Sequence, residues 1–157
     1  AGVTGAQGAR HHSNLFPSDL AFNNISADLY VQNLINAGMP PEQLLLGLPL
    51  YGRNGATITR TFDEIRRSYL NTNGYTVRWD NVAKAPYIVD QFGNFFLAFD
   101  NGLSIYFKGQ YVADNCLGGL FTWQTNMDQA NILANDMYLA INDPRTLEEI
   151  LAQEYLG

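Results

Sequence analysis

The run Leu44-Leu45-Leu46-Gly47-Leu48-Pro49-Leu50 decides the fold. It is apolar or small throughout and shows no alternation, which is how a strand covered on both faces of a parallel sheet reads. A buried helix would be equally hydrophobic, but Gly47 and Pro49 both disfavour one. A helix leads into the run. Ser26 suits its N-cap, Ala27 to Ile35 its body and Gly38 its C-terminal stop, and Pro40 and Pro41 prevent continuation. A second short run, Gly119-Leu120-Phe121-Thr122-Trp123, has the same buried character and follows a helix expected over Leu103–Asp114. Two buried strands alternating with helices indicate an α/β architecture.

Between the two runs the pattern changes. Thr61-Phe62-Asp63-Glu64 fits a capping box opening a helix to about Leu70. Tyr75 to Trp79, Tyr87 to Val89 and Phe95 to Phe99 read as three short strands, with Gly93-Asn94 turning the last pair. Downstream, Gln129 to Ala140 is helical, with Ile132, Leu133, Met137 and Leu139 as core candidates. Asp143 then caps a final helix that has Pro144 at its first position. Residues 1–25 read as an irregular loop. The chain therefore divides into a barrel segment at 1–53, a small α+β insertion at 54–101 and a second barrel segment at 102–157. Two strands cannot close a barrel, which needs about eight.

Composition narrows the function classes. The chain has 157 residues, a net charge of −6 and only nine basic side chains, scattered, which argues against a nucleic-acid partner. No apolar run reaches the length of a membrane span, and no signal-like segment opens the chain, whose start reads as an internal boundary. The single Cys116 allows no internal disulfide and no thiolate cage, and reads as a small buried hydrophobe. Nine Tyr, nine Phe and two Trp can fill a core or stack on sugar rings, and composition does not separate the two uses.

Four segments in order resemble the second half of a family 18 glycoside hydrolase barrel, the chitinase type. Gly47-Leu48-Pro49-Leu50-Tyr51-Gly52-Arg53, after Met39 to Leu44, is similar to the family's seventh strand and the turn before it. Trp79-Asp80 with Ala83, Pro86 and Tyr87 is similar to its small insertion. Ala98-Phe99-Asp100 with Ser104, Ile105 and Lys108 is the third segment, and Leu117 to Trp123 resembles the final strand. The resemblance runs from about Gly5 to Asp136, and its opening, through His12-Ser13-Asn14-Leu15-Phe16, is similar to the loop after the sixth strand. Phe99 stands where the family often has Tyr, and Gln124 where it often has Glu or Ala. The family's Asp-X-X-Asp-X-Asp-X-Glu strand is absent from this chain.

The resemblance implies part of a (β/α)8 TIM barrel in a secreted enzyme that hydrolyses chitin, the β-1,4-linked N-acetylglucosamine polymer. The substrate's own acetamide would act as nucleophile, with retention. It implies no cofactor, and a catalytic acid outside this chain, so no catalytic residue is assigned here. Tyr51, Arg53 and Trp123 are the substrate-binding candidates. Trp123 ends a buried strand, where barrel active sites lie, and its indole suits a sugar face. Tyr51 and Arg53 are two apart in an extended segment and so point the same way. Each also has a structural reading: rim packing for Trp123 and Tyr51, an ion pair for Arg53.

The insertion from Trp79 to Phe99 is expected to wall the same cleft, although a hydrophobic cluster serves its aromatics equally well. His11-His12 invites a metal reading, but adjacent side chains point apart and no carboxylate has ligand spacing, so no metal is expected. Lys108 and the pair Glu148-Glu149 read as a solvated helix face. The expected partners are chitin or N-acetylglucosamine oligomers, and either the N-terminal half of the same domain or an oligomer covering the open sheet edge. The alternatives are a lectin-like, non-catalytic member of the same family and an unrelated α/β interaction domain.

Overall fold

A computed structural model describes residues 9–55 and 58–156, with side chains to Glu154. The Thr4-Gly5 end of the resemblance lies outside the described residues. The helix α1 spans Ala27–Asn36, and Ser26 caps it by accepting from Leu29 N–H. Gly38 ends it at φ +98°, a left-handed conformation that favours glycine. Strand β1 (Leu45–Pro49) follows. Two further strands, β2 (Tyr51–Asn54) and β3 (Ile58–Thr61), then lead into the short helix α2 (Phe62–Ser68). The capping box at Thr61 and Glu64 is present in both directions. The strands β4 (Thr76–Asp80), β5 (Ala85–Val89) and β6 (Phe95–Ala98) come next. They are followed by α3 (Gly102–Asp114), β7 (Gly119–Trp123), α4 (Ile132–Asn142) and α5 (Pro144–Leu156).

The two apolar runs are parallel neighbours, as their character implied. Leu45 lies opposite Gly119 and Pro49 opposite Trp123. The ladder continues at both ends, where Gly118 N–H donates to Leu44 and Leu50 N–H donates to Trp123. Gly118 is required there, because a Cβ would stand 2.5 Å from the Glu42 carbonyl oxygen. The other five strands form one antiparallel sheet in the order β3-β2-β6-β5-β4. Gly93 turns β5 into β6 at φ +81°, with Asp90 accepting from the Phe92 and Asn94 N–H groups.

One hydrophobic cluster joins the two sheets to the helices. Leu48 and Leu50 meet Ile65 of α2, Ile88 and Leu97 of the antiparallel sheet, Ile105 of α3 and Leu133 of α4. A second cluster packs Val31 of α1 and Leu46 of β1 against Tyr111 and Val112 of α3.

Several expectations are corrected. The β1 run is buried on one face only: Leu46 and Leu48 are 6% and 1% exposed, while Leu45 is 56% exposed. Phe121 on β7 is 48% exposed on the same open side. The described residues cover one face of this two-stranded sheet, and the other carries side chains that no alternation had marked as outward. Strands β2 and β3 were not anticipated, because four-residue segments around Gly and Asn give little periodic signal. Lys108 is not solvated: it is 1% exposed, on the face of α3 turned to the core. Cys116 is exposed, because it occupies a left-handed turn after α3 that aims it outward. The helix expected from Gln129 starts instead at Ile132, where Asp128 accepts from the Ile132 and Ala134 N–H groups and fixes the first turn. Ile132 itself is 36% exposed, leaving Leu133 as the buried anchor of that turn.

Candidate saccharide cleft

A cleft of about 450 Å³ opens beside β1, and Tyr51, Arg53 and Trp123 all line it. Trp123 sits at the C-terminal end of β7 and is 65% exposed, so its indole is available as a flat apolar surface with one N–H donor. Tyr51 and Arg53 are the first and third residues of β2 and share a face. Gly52 between them points the other way, and a Cβ there would stand 2.7 Å from Leu97 Cδ2 and 2.8 Å from Ile65 Cδ1. The missing side chain lets β2 lie close on the core, which fixes the height of its two flanking residues in the cleft.

The loop ahead of α1 supplies a second wall through three consecutive residues with three destinations. His11 Nε2 lies 3.2 Å from Asp80 Oδ2, at the end of β4. His12 turns into the cleft and stacks on Tyr51, with ring centroids 5.7 Å apart and planes 21° from parallel. Ser13 Oγ donates to Asp100 Oδ2 at 2.7 Å and accepts from Lys108 Nζ at 2.7 Å. Lys108 Nζ also donates to Asp100 Oδ1 at 2.6 Å, and Ser104 Oγ donates to the same oxygen at 2.7 Å. This buried ion pair, closed by two hydroxyls, ties the loop to α3 and to the end of β6.

Charge in this region follows burial. The His12 imidazole is pushed down to about 4 by burial, against the pull of Asp100 and with help from Lys108 and Arg53. Burial also lowers His11, although Asp80 opposes it, and lowers Lys108 against Asp100. Burial would raise Asp80, but donation from Ser18, from the Ala83 N–H and from His11 holds it below its usual value. The two His rings serve different partners, and among the described residues no group of three or more His, Cys, Asp or Glu could hold a metal ion. Among the described residues, no helix is long and apolar enough to cross a membrane.

The insertion does not wall this cleft as expected: no residue from Trp79 to Phe99 lines it. Trp79, Asp80 and Tyr87 instead border a second hollow, of about 560 Å³, against Ser18 and Asn24 of the loop. That hollow is larger, but Asp80 in it already accepts from His11, Ser18, Val82 and Ala83. The cleft at Trp123 is the better candidate, because polar atoms without a hydrogen-bond partner among the described residues remain in it. No Asp or Glu is among the described residues lining it. Sequence reasoning gave His12, Ser13 and Asp100 no role and misread Lys108. Part of the signal was present: Asp100, Ser104 and Lys108 recur every four residues, one stripe of a helix.

Residues 4–128 match the family described as Glycosyl hydrolases family 18. Chitinase A1 of Niallia circulans is 29% identical over 73% of this chain and 20% of its own length. Among solved structures, a family 18 N-acetylglucosaminidase from Paenibacillus barengoltzii superposes with a TM-score of 0.78. It is 28% identical, over 87% of this chain and 45% of that one. The chitinase domain of a Clostridium difficile spore coat protein is 55% identical over 97% of this chain and 44% of that one, with a TM-score of 0.51. The chain thus spans less than half the length of each of these relatives.

Proposed function

We propose, for a chain that belongs to glycosyl hydrolase family 18, that it supplies one part of the substrate cleft of a chitin-hydrolysing domain and not the catalytic acid. The observation that carries this reading is the exposed Trp123 indole at a strand's C-terminal end, in one cleft with Tyr51 and Arg53. The indole offers a floor for the apolar face of an N-acetylglucosamine ring, and the phenol and guanidinium reach its hydroxyls and carbonyl. Hydrolysis proceeds with retention through attack by the substrate's own acetamide oxygen, so no carboxylate nucleophile is needed. A general acid must still protonate the leaving oxygen, and no carboxylate among the described residues lining this cleft is placed to do so.

The open face of β1 and β7 supports a companion. Leu45 and Phe121 would be covered by further strands of a (β/α)8 barrel, which the N-terminal half of the same catalytic domain provides. By family resemblance, the complete protein would act outside the cell. The test is reconstitution. The 157-residue chain alone should not turn over an N-acetylglucosamine tetramer, and mixing with the N-terminal half should restore hydrolysis. Turnover by the purified chain alone would mean that the acid lies within it. A second reading is a lectin-like member of the family, which would keep the aromatic cleft and lack the acid. Oligomer binding without turnover in the reconstituted domain would select it.

A further inference from the structure

His12 lines the cleft with both ring nitrogens buried and without a hydrogen-bond partner among the described residues. Buried polar atoms in folded proteins are rarely left unbonded, and each one costs about 1–3 kcal/mol. His11 beside it shows how the chain satisfies an imidazole when the purpose is structural: its Nε2 is bonded to Asp80. His12 lacks this, although Ser13, Asp100 and Lys108 on its flank bond one another. Its ring contact among the described residues is the stack on Tyr51, which holds the plane and satisfies neither nitrogen. Arg53 Nε, in the same cleft, is the other buried side-chain polar atom without a partner among the described residues.

We propose that His12 is a further substrate-binding residue, whose neutral imidazole hydrogen-bonds a hydroxyl or acetamide group of the saccharide when the cleft is filled. The inference rests on the reading of this cleft as a saccharide site and extends it to a residue outside the Tyr51–Arg53–Trp123 set. A neutral imidazole presents one donor and one acceptor, and a sugar hydroxyl or a secondary amide is both at once. The burial that holds the ring neutral, together with the neighbouring Lys108 and Arg53 cations, disfavours the imidazolium, which has only donors. The ring is half-buried at the cleft wall, so a side-chain-scale shift there uncovers a nitrogen to a ligand.

The experiment compares wild type, His12→Phe, His12→Asn and Trp123→Ala in the reconstituted domain. It measures calorimetric binding of the N-acetylglucosamine tetramer together with the melting temperature of the ligand-free protein. Phe keeps the stack on Tyr51 and removes both ring nitrogens, whereas Asn keeps one donor and one acceptor. His12→Phe should bind the tetramer about tenfold more weakly while melting at or above the wild-type temperature, because an unbonded buried polar group has been replaced by an apolar one. His12→Asn should bind within about threefold of wild type, since a neutral hydrogen-bonding pair is retained. Unchanged binding by His12→Phe, with weakened binding by Trp123→Ala, would overturn the role of His12 and leave the saccharide cleft standing. A melting temperature that falls in His12→Phe, or loss of its fold, would overturn it as well, because nitrogens bonded within the protein are what that change breaks. Failure of wild type to bind the tetramer would remove the cleft reading itself, and this inference with it.

Discussion

Lys108→Met tests whether the buried ion pair is the strut that holds the cleft loop. The ammonium lies 2.6 Å from Asp100 and 2.7 Å from Ser13, and both charged side chains are 1% exposed. Methionine keeps most of the stem's volume, so packing changes little. What remains is a buried carboxylate with the Ser13 and Ser104 hydroxyls as its side-chain donors among the described residues. Breaking a buried pair from one side costs about 3–5 kcal/mol. For a chain of this length each kcal/mol is worth about 2–4 °C, so the melting temperature should fall by about 6–20 °C. Asp100→Asn should cost less, because burial already draws the Lys108 pKa down and its amine can become neutral. The double variant should recover at least about 1.5 kcal/mol relative to the sum of the singles, since the uncompensated charge is gone. Urea and thermal denaturation, followed by near-ultraviolet circular dichroism, give all four corners of the cycle. A loss below about 1 kcal/mol in Lys108→Met, or strict additivity, would refute the idea that this pair carries structural weight.

Trp123→Ala should leave stability nearly unchanged, as the ring is 65% exposed, but weaken tetramer binding by about 1–3 kcal/mol in calorimetry; equal affinity would reduce Trp123 to rim packing. Gly52→Ala should cost about 1–3 kcal/mol in urea denaturation and lower oligomer affinity, because its Cβ would press on Leu97 and Ile65 and move β2; a silent variant would contradict the close approach. Acid stability follows from His12, whose pKa is 6.5 unfolded and about 4 folded. The unfolded chain binds more protons in that window, so the folded state loses about 3 kcal/mol relative to its stability above pH 6.5 as pH falls to about 4. His12→Phe should flatten that limb, and an unaltered slope would show that another group sets it. Asp136, raised to about 6 by burial and then by Glu154 and Asp128, has the opposite sign. The folded state keeps its proton longer, so its contribution fades as pH rises from 3.8 to about 6, and Asp136→Asn should steepen the His12 limb.

Much of the architecture was legible because it is local or compositional. The apolar runs at 45–49 and 119–123, the Thr61–Glu64 capping box, the Ser26 cap and the Gly93 turn each depend on residues within a few positions. Their parallel pairing followed from the unbroken apolar character of both runs and the helix between them. Family membership was likewise carried by short motifs in order. The three candidates at 51, 53 and 123 share one cleft because strand ends and a two-residue alternation are sequence properties.

What only the tertiary structure decided lies in pairs far apart in the chain. Ser13 meets Lys108 across 95 residues and His11 meets Asp80 across 69, and no periodicity encodes either contact. Lys108 could not be assigned to the core from its type, because a lysine is buried only when a counter-charge waits for it. That counter-charge, Asp100, lies just ahead of α3, and Ser13 joins the pair only once the loop before α1 packs against them. His12 and His11 are the same residue type one position apart, yet one is bonded and the other is turned into the cleft unbonded. Sequence specifies the side chains that can make such choices. The packing of the loop against β2, β4 and α3 decides which ring finds a partner and which has none among the described residues.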